Sequence, residues 1–96
     1  MNGADLGKKW ISETVTAEAT KFGMEVELRW ESEEDQLRHP LWVRYRGKVG
    51  RKPLLLKRSD LEYCPTDEVI QARLKEEIRE HLIRQIETSH PRKIGF

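Results

Sequence analysis

Between Met24 and Glu31 the chain reads MEVELRWE, and apolar and polar residues alternate. Val26, Leu28 and Trp30 fall on one side and Glu25, Glu27, Arg29 and Glu31 on the other, the pattern of a strand with one face in a core and one in water. After the polar stretch SEEDQLRHP the alternation resumes: Leu41, Val43 and Tyr45 against Trp42, Arg44 and Arg46 predict a second strand. The glycines of GKVG, Gly47 and Gly50, mark a turn. A four-residue turn over 47–50 pairs Arg46 with Arg51, Leu41 with Leu56, Trp42 with Leu55 and Val43 with Leu54, so apolar residues meet on both faces. Arg44 then faces Pro53, which has no N–H for a ladder, so the third strand starts there or is an edge.

A helical period flanks these strands. Ile11, Val15, Ala19 and Phe22 predict a helix over 6–22, with Asp5 as N-cap and Gly23 as left-handed C-cap, against the β-branched run Thr14–Thr16. SDLE, Ser59–Glu62, has capping-box spacing and predicts either one helical turn or, through Leu61 and Tyr63, a longer strand. Beyond Pro65, Thr66 is placed to cap and Asp67 and Glu68 suit the positive end of a helix. Ile70, Leu74, Ile78, Leu82 and Ile86 then step by four to about Ser89, with Glu76 spaced to pair with Arg79 and Glu80 with Arg84, while Val69 and Ile83 fall off the stripe. The expected class is α+β: a three-stranded antiparallel sheet between an N-terminal and a long C-terminal helix, in α-β-β-β-α order. Residues 1–96 form one small domain, with 90–96 a short tail.

Charge changes this picture. The net charge of +1 excludes a histone-like polycation and an acidic mimic of nucleic acid. Along the chain, however, 25–35 is acidic but for Arg29, and 36–59 is purely basic. Lys48, Arg51, Lys52, Lys57 and Arg58 lie near the turn or on the third strand and are the candidates for contact with an RNA or DNA backbone. Arg44 and Arg46 are expected to meet the glutamates of the first strand across the sheet. The element order resembles that of double-stranded RNA-binding domains, but Asp67 and Glu68 stand where that family starts its second helix with lysines.

Candidate chemistry is sparse. Cys64 is the only cysteine, which excludes an internal disulfide and fits a reducing compartment. It precedes Pro65 near a helix start without a local base, so it reads as a buried structural thiol. The run ESEEDQ lacks the spacing of a calcium loop, and Glu77 with His81 supplies only two ligands. No metal, cofactor, catalytic set or small-molecule substrate is expected, and the chain reads as non-enzymatic. No secretory signal, spanning segment or myristoylation glycine is present, which predicts a soluble, cytoplasmic protein without membrane contact. Trp42, Leu55, Val69 and Ile83 are surplus apolar residues that predict a protein partner or a homodimer, and hence a small binding or regulatory protein. RNA or DNA binding through the basic hairpin 44–58 is the alternative.

Overall fold

The computed structural model describes residues 3–31 and 37–89. Helix α1 (Gly3–Lys21) is followed by strands β1 (Val26–Trp30), β2 (Arg38–Tyr45), β3 (Lys48–Val49) and β4 (Leu54–Lys57), then by helices α2 (Arg58–Tyr63) and α3 (Glu68–Ser89). Strand β2 is central: β1 pairs antiparallel on one side, while β3 and β4 share the other, β3 beside its C-terminal part and β4 beside its N-terminal part. This is the expected α+β architecture, with the third strand split and a short helix added. The tail from residue 90 and the acidic loop 32–36 lie outside the described residues. Among those residues no helix is long and apolar enough to cross a membrane.

The two long helices pack on the same face of the sheet. Ile11, Val15 and Ala19 of α1 and Leu74, Ile78 and Leu82 of α3 close the core with Leu41, Val43, Tyr45, Leu54 and Leu56 from the strands and Leu61 and Cys64 below. Val26, Leu28 and Trp30 join it from β1, as their alternation requires. Trp30 also ties β1 to α1, its indole N–H donating to Ser12 Oγ at 3.1 Å.

Several boundaries differ from the sequence pattern for local reasons. Helix α1 starts at Gly3, so Asp5 sits inside its first turn instead of capping it, and Phe22 lies past its end and is exposed. Gly23 does end the helix in the left-handed region, and the Met24 N–H closes back on the Ala19 carbonyl at 2.8 Å. Helix α2 realises the helical option for SDLE but begins at Arg58, and Ser59 does not cap it. At α3 the cap is Asp67 and not Thr66: its Oδ1 accepts from the N–H groups of Val69 and Ile70 at 2.9 and 3.2 Å.

Strand β2 starts three residues earlier than its alternation suggests and carries Pro40 in a central position. In an antiparallel pair the N–H and C=O of one residue point to the same neighbour. The Pro40 carbonyl accepts from the Glu31 N–H at 3.0 Å, so its nitrogen also faces β1, just past that strand's last residue. The missing N–H therefore removes a bond only where the ladder already ends.

The turn between β2 and β3 is the largest departure. It has two residues, Arg46 and Gly47, both at positive φ (55° and 76°), the geometry of a type I′ hairpin turn. Tyr45 thus faces Lys48 and Arg44 faces Val49. Gly50 to Pro53 then stand against only Trp42 and Val43, and β4 resumes with Leu54 opposite Leu41, Leu55 opposite Pro40 and Leu56 opposite His39. Relative to the predicted register, β4 has slipped by two residues. An even slip keeps every side chain on its own face, so apolar contacts survive although the partners change.

Candidate functional site

Two surfaces concentrate the residues that sequence pattern singled out. The first is the outer face of the sheet, which no described element covers. It carries Glu27, Arg29 and Glu31 beside β1, then Arg44, Trp42, Pro40 and Arg38 along β2, then Val49, Leu55 and Lys57. Trp42 opposes Arg29 instead of Leu55, and Leu55 opposes Pro40; the two share the face diagonally. Leu55 and Val49 are 51% and 52% exposed, whereas Trp42 is half-buried. The Trp42 indole N–H donates to Glu31 Oε2 at 3.2 Å, fixing the ring across the floor of a concavity of about 630 Å³ that Glu27, Arg29, Arg44 and Val49 also line. Arg44 meets Glu27 at 3.7 Å, the cross-strand pair expected there. Arg46 instead lies over the Tyr45 ring, 5.3 Å from its centre.

Val69 and Ile83 belong elsewhere. They sit on the side of α3 turned away from the Leu74–Ile78–Leu82 stripe, 79% and 43% exposed, and about 21 Å apart at the rise of a helix. The four apolar candidates therefore divide between opposite sides of the molecule, and only Trp42 and Leu55 share a surface.

The basic candidates divide as well. Arg51 and Lys52 lie on the crossing between β3 and β4, next to Lys48; Lys57 is at the far end of β4, opposite Arg38. Arg58 starts α2 and pairs with Glu62 at 3.2 Å. Arg51 and Lys52 are joined by residues that the sequence pattern did not assign to a binding surface. With Gly50, His81, Arg84 and Gln85 they line a cleft of about 380 Å³ between the crossing and the C-terminal half of α3. Gln85 shapes its floor: its amide donates to the carbonyls of Val43 at 3.2 Å and Lys48 at 3.3 Å, just before the ladder breaks, and the Val43 carbonyl also accepts from the Gly50 N–H at 3.4 Å. His81 Nε2 is buried without a hydrogen-bond partner, and burial together with the Arg84 charge lowers the pKa of that ring.

The remaining titratable groups serve the fold. Glu18, 4% exposed, reaches from α1 to Arg79 of α3 at 2.8 Å and is also held by Lys21 at 2.9 Å. These bonds hold its carboxyl below the usual range although burial opposes them. Asp60 of α2 pairs with Arg73 of α3 at 2.5 Å. Burial, then the Asp60 charge, pushes the Cys64 thiol up to about 11, and Cys64 Sγ lies against the carbonyls of Gly7 and Leu61. Such a thiol is protonated at neutral pH and is a poor nucleophile. Among the described residues no three His, Cys, Asp or Glu are grouped to hold a metal ion.

Inward-facing Glu18, Asp60 and Gln85 escaped the sequence pattern because hydrophobic period assigns polar residues to water. One signal was present for Gln85, which lies three residues beyond Leu82 on the α3 stripe. Comparison with protein families, with curated proteins and with solved structures finds no match to this chain.

Proposed function

We propose that this chain is a small, non-enzymatic binding protein that works through protein contacts, and that the outer face of its sheet docks a second copy of itself. The observation that carries this reading is the placement of both long helices on one face, which leaves Val49 and Leu55 exposed on the other, on either side of a half-buried Trp42. Charge supports a self-complementary partner. The β1 side of that face carries Glu27 and Glu31 around Arg29, and the opposite side carries Lys57. A twofold axis parallel to the strands through Trp42 lays the acidic side of one copy over the basic side of the other. Trp42, held half-buried by Glu31, is the aromatic anchor at the centre, where such residues contribute most. A reducing, cytoplasmic setting fits the single buried thiol.

Sedimentation equilibrium of the wild type and of Leu55→Glu tests this. The substitution is at an exposed position, so thermal unfolding should be unchanged. The wild type should sediment as a concentration-dependent dimer, and a carboxylate set over the partner's acidic β1 side should return it to monomer. A wild type that stays monomeric up to about millimolar protein, the weak end of measurable association, refutes the dimer, as does a Leu55→Glu dimer of undiminished affinity.

A further inference from the structure

We propose that the free edge of β1 docks an extended segment of another protein, added to the sheet as a further antiparallel strand with apolar residues on the helix side and basic residues on the outer side. The Glu31 N–H donates to the Pro40 carbonyl, so Glu31 points its backbone groups at β2, and by alternation Val26, Leu28 and Trp30 point theirs away from it. The other side of β2 agrees: the Val43 carbonyl, opposite Leu28, turns to the Gly50 N–H and not to β1. Among the described residues nothing pairs with the N–H and C=O groups of Val26, Leu28 and Trp30.

The two edges of the sheet are unlike. The far edge is broken into a two-residue β3, a crossing that contains Pro53 and a four-residue β4, a poor template for another strand. Strand β1 keeps five consecutive residues in register with β2, without proline, glycine or bulge, and its charged side chains all point to the outer face. Its inward side chains show what the edge lacks. Leu41, Val43 and Tyr45 of β2 are buried, whereas Trp30, Leu28 and Val26 opposite them are only half-buried, because no strand flanks them on the open side. A strand added there completes the ladder with its backbone and the burial of this row with its apolar side chains.

Charge selects the occupant. Glu25, Glu27 and Glu31 line the outer side of the edge around Arg29. Glu27 is shared with Arg44 and Glu31 accepts from the Trp42 indole, while among the described residues Glu25 pairs with no cation. A second copy of β1 fits this row poorly. Antiparallel self-pairing about Leu28 joins Glu27 to Arg29 but sets Glu25 of each copy against Glu31 of the other. A register shift of two residues sets Glu27 against Glu27 in one direction and against Glu31 in the other. A foreign strand with lysine or arginine opposite Glu25 and Glu31 meets no like charge. The edge lies at the side of the sheet, so it stays open whether or not a second copy covers the outer face.

The test uses the full chain, wild type and Leu55→Glu, and a capped peptide with lysine opposite Glu25 and Glu31, valine opposite Val26, Leu28 and Trp30, and threonine between them. Amide hydrogen exchange followed by NMR should find Val26, Leu28 and Trp30 unprotected in the free protein, and the peptide should protect them with saturable shifts in both chains. N-methylation of the central valine removes the N–H that the Leu28 carbonyl accepts and should weaken binding about tenfold. Glutamate in place of both lysines should weaken it about threefold or more, and Glu25→Lys should reverse part of that preference. No saturable binding up to about millimolar peptide, or equal affinity of the N-methylated peptide, overturns the edge site. Equal affinity of the glutamate peptide overturns the preference for a basic strand. Shifts confined to Trp42, Val49 and Leu55 overturn the edge and assign the peptide to the outer face. Protection of Val26, Leu28 and Trp30 that rises with the concentration of Leu55→Glu alone overturns the foreign strand and assigns the edge to a second copy.

Discussion

Gly7→Ala sets two effects of opposite sign against each other at the crossing of α1 and α2. Gly7 lies in the interior of α1, where glycine is worse than alanine by about 1 kcal/mol. On helix propensity alone the substitution stabilises. A β-carbon there, however, would land on the Leu61 backbone carbonyl, and backbone cannot swing aside as a side chain can. Carbon and oxygen keep about 3.3 Å apart even in close contacts, so the helices must separate by on the order of 1 Å. A gap of that size forfeits roughly a quarter to a half of the dispersion attraction across it. Leu61 is fully buried, and a buried leucine makes roughly 40–60 contacts of about 0.15 kcal/mol each. With about half of them directed at α1, the separation costs about 1–2 kcal/mol at Leu61 alone. Ile11 and Cys64, also fully buried, bring the loss to about 2–4 kcal/mol. After the propensity gain, Gly7→Ala should destabilise by about 1–3 kcal/mol. Urea unfolding followed by circular dichroism reads this as a lower midpoint at unchanged slope. A midpoint equal to or above that of the wild type would refute the close approach and leave only the propensity effect.

Two other substitutions probe features that pattern alone did not reveal. Arg46 holds a positive φ that costs a non-glycine residue about 1 kcal/mol, partly offset by about 0.5 kcal/mol from its stacking on Tyr45. Arg46→Asn, which creates the Asn-Gly pair preferred in type I′ turns, should therefore raise stability by about 0.5 kcal/mol in the same urea assay, and a loss would show that the turn has another geometry. Glu18→Gln tests the tie between α1 and α3 through pH. The folded carboxyl titrates below its unfolded value, so its ionised bonds to Arg79 and Lys21 contribute fully above the unfolded pKa of about 4.3 and are lost as pH falls through the folded one. Wild type and variant should differ most in urea midpoint near neutral pH and converge in acid. An offset that does not change with pH would show that Glu18 acts by packing alone.

The fold class was legible because alternation in Val26–Trp30 and Leu41–Tyr45 and the four-residue step of Ile70–Ile86 report burial directly, and burial decides the layers. Register was not legible. A four-residue turn places Leu41 against Leu56 and Val43 against Leu54, and the observed two-residue turn followed by a bulge places Leu41 against Leu54; both match apolar to apolar. The hydrophobic term scarcely separates two registers an even number of residues apart, so the choice falls to turn geometry and to Gln85. Arg46 in a left-handed conformation is not what its residue type favours, and Gln85 is separated from Val43 by 42 positions, so neither left a local trace.

One surface could be read from the chain and the other could not. An even slip leaves Trp42 and Leu55 on the outer face whatever the register, so their shared surface follows from alternation once both helices are known to pack on the same side. The cleft exists only because the third strand breaks. If the strand were continuous from Lys48 to Lys57, Gly50 and Lys52 would alternate with Arg51 along a ladder, with successive side chains pointing to opposite faces. Four residues against two abolish that alternation and bring Arg51 and Lys52 to the same cleft as His81 and Arg84. The positive charges in this segment are thus a property of the sequence, but their convergence is a property of the break, and the break is held by Gln85.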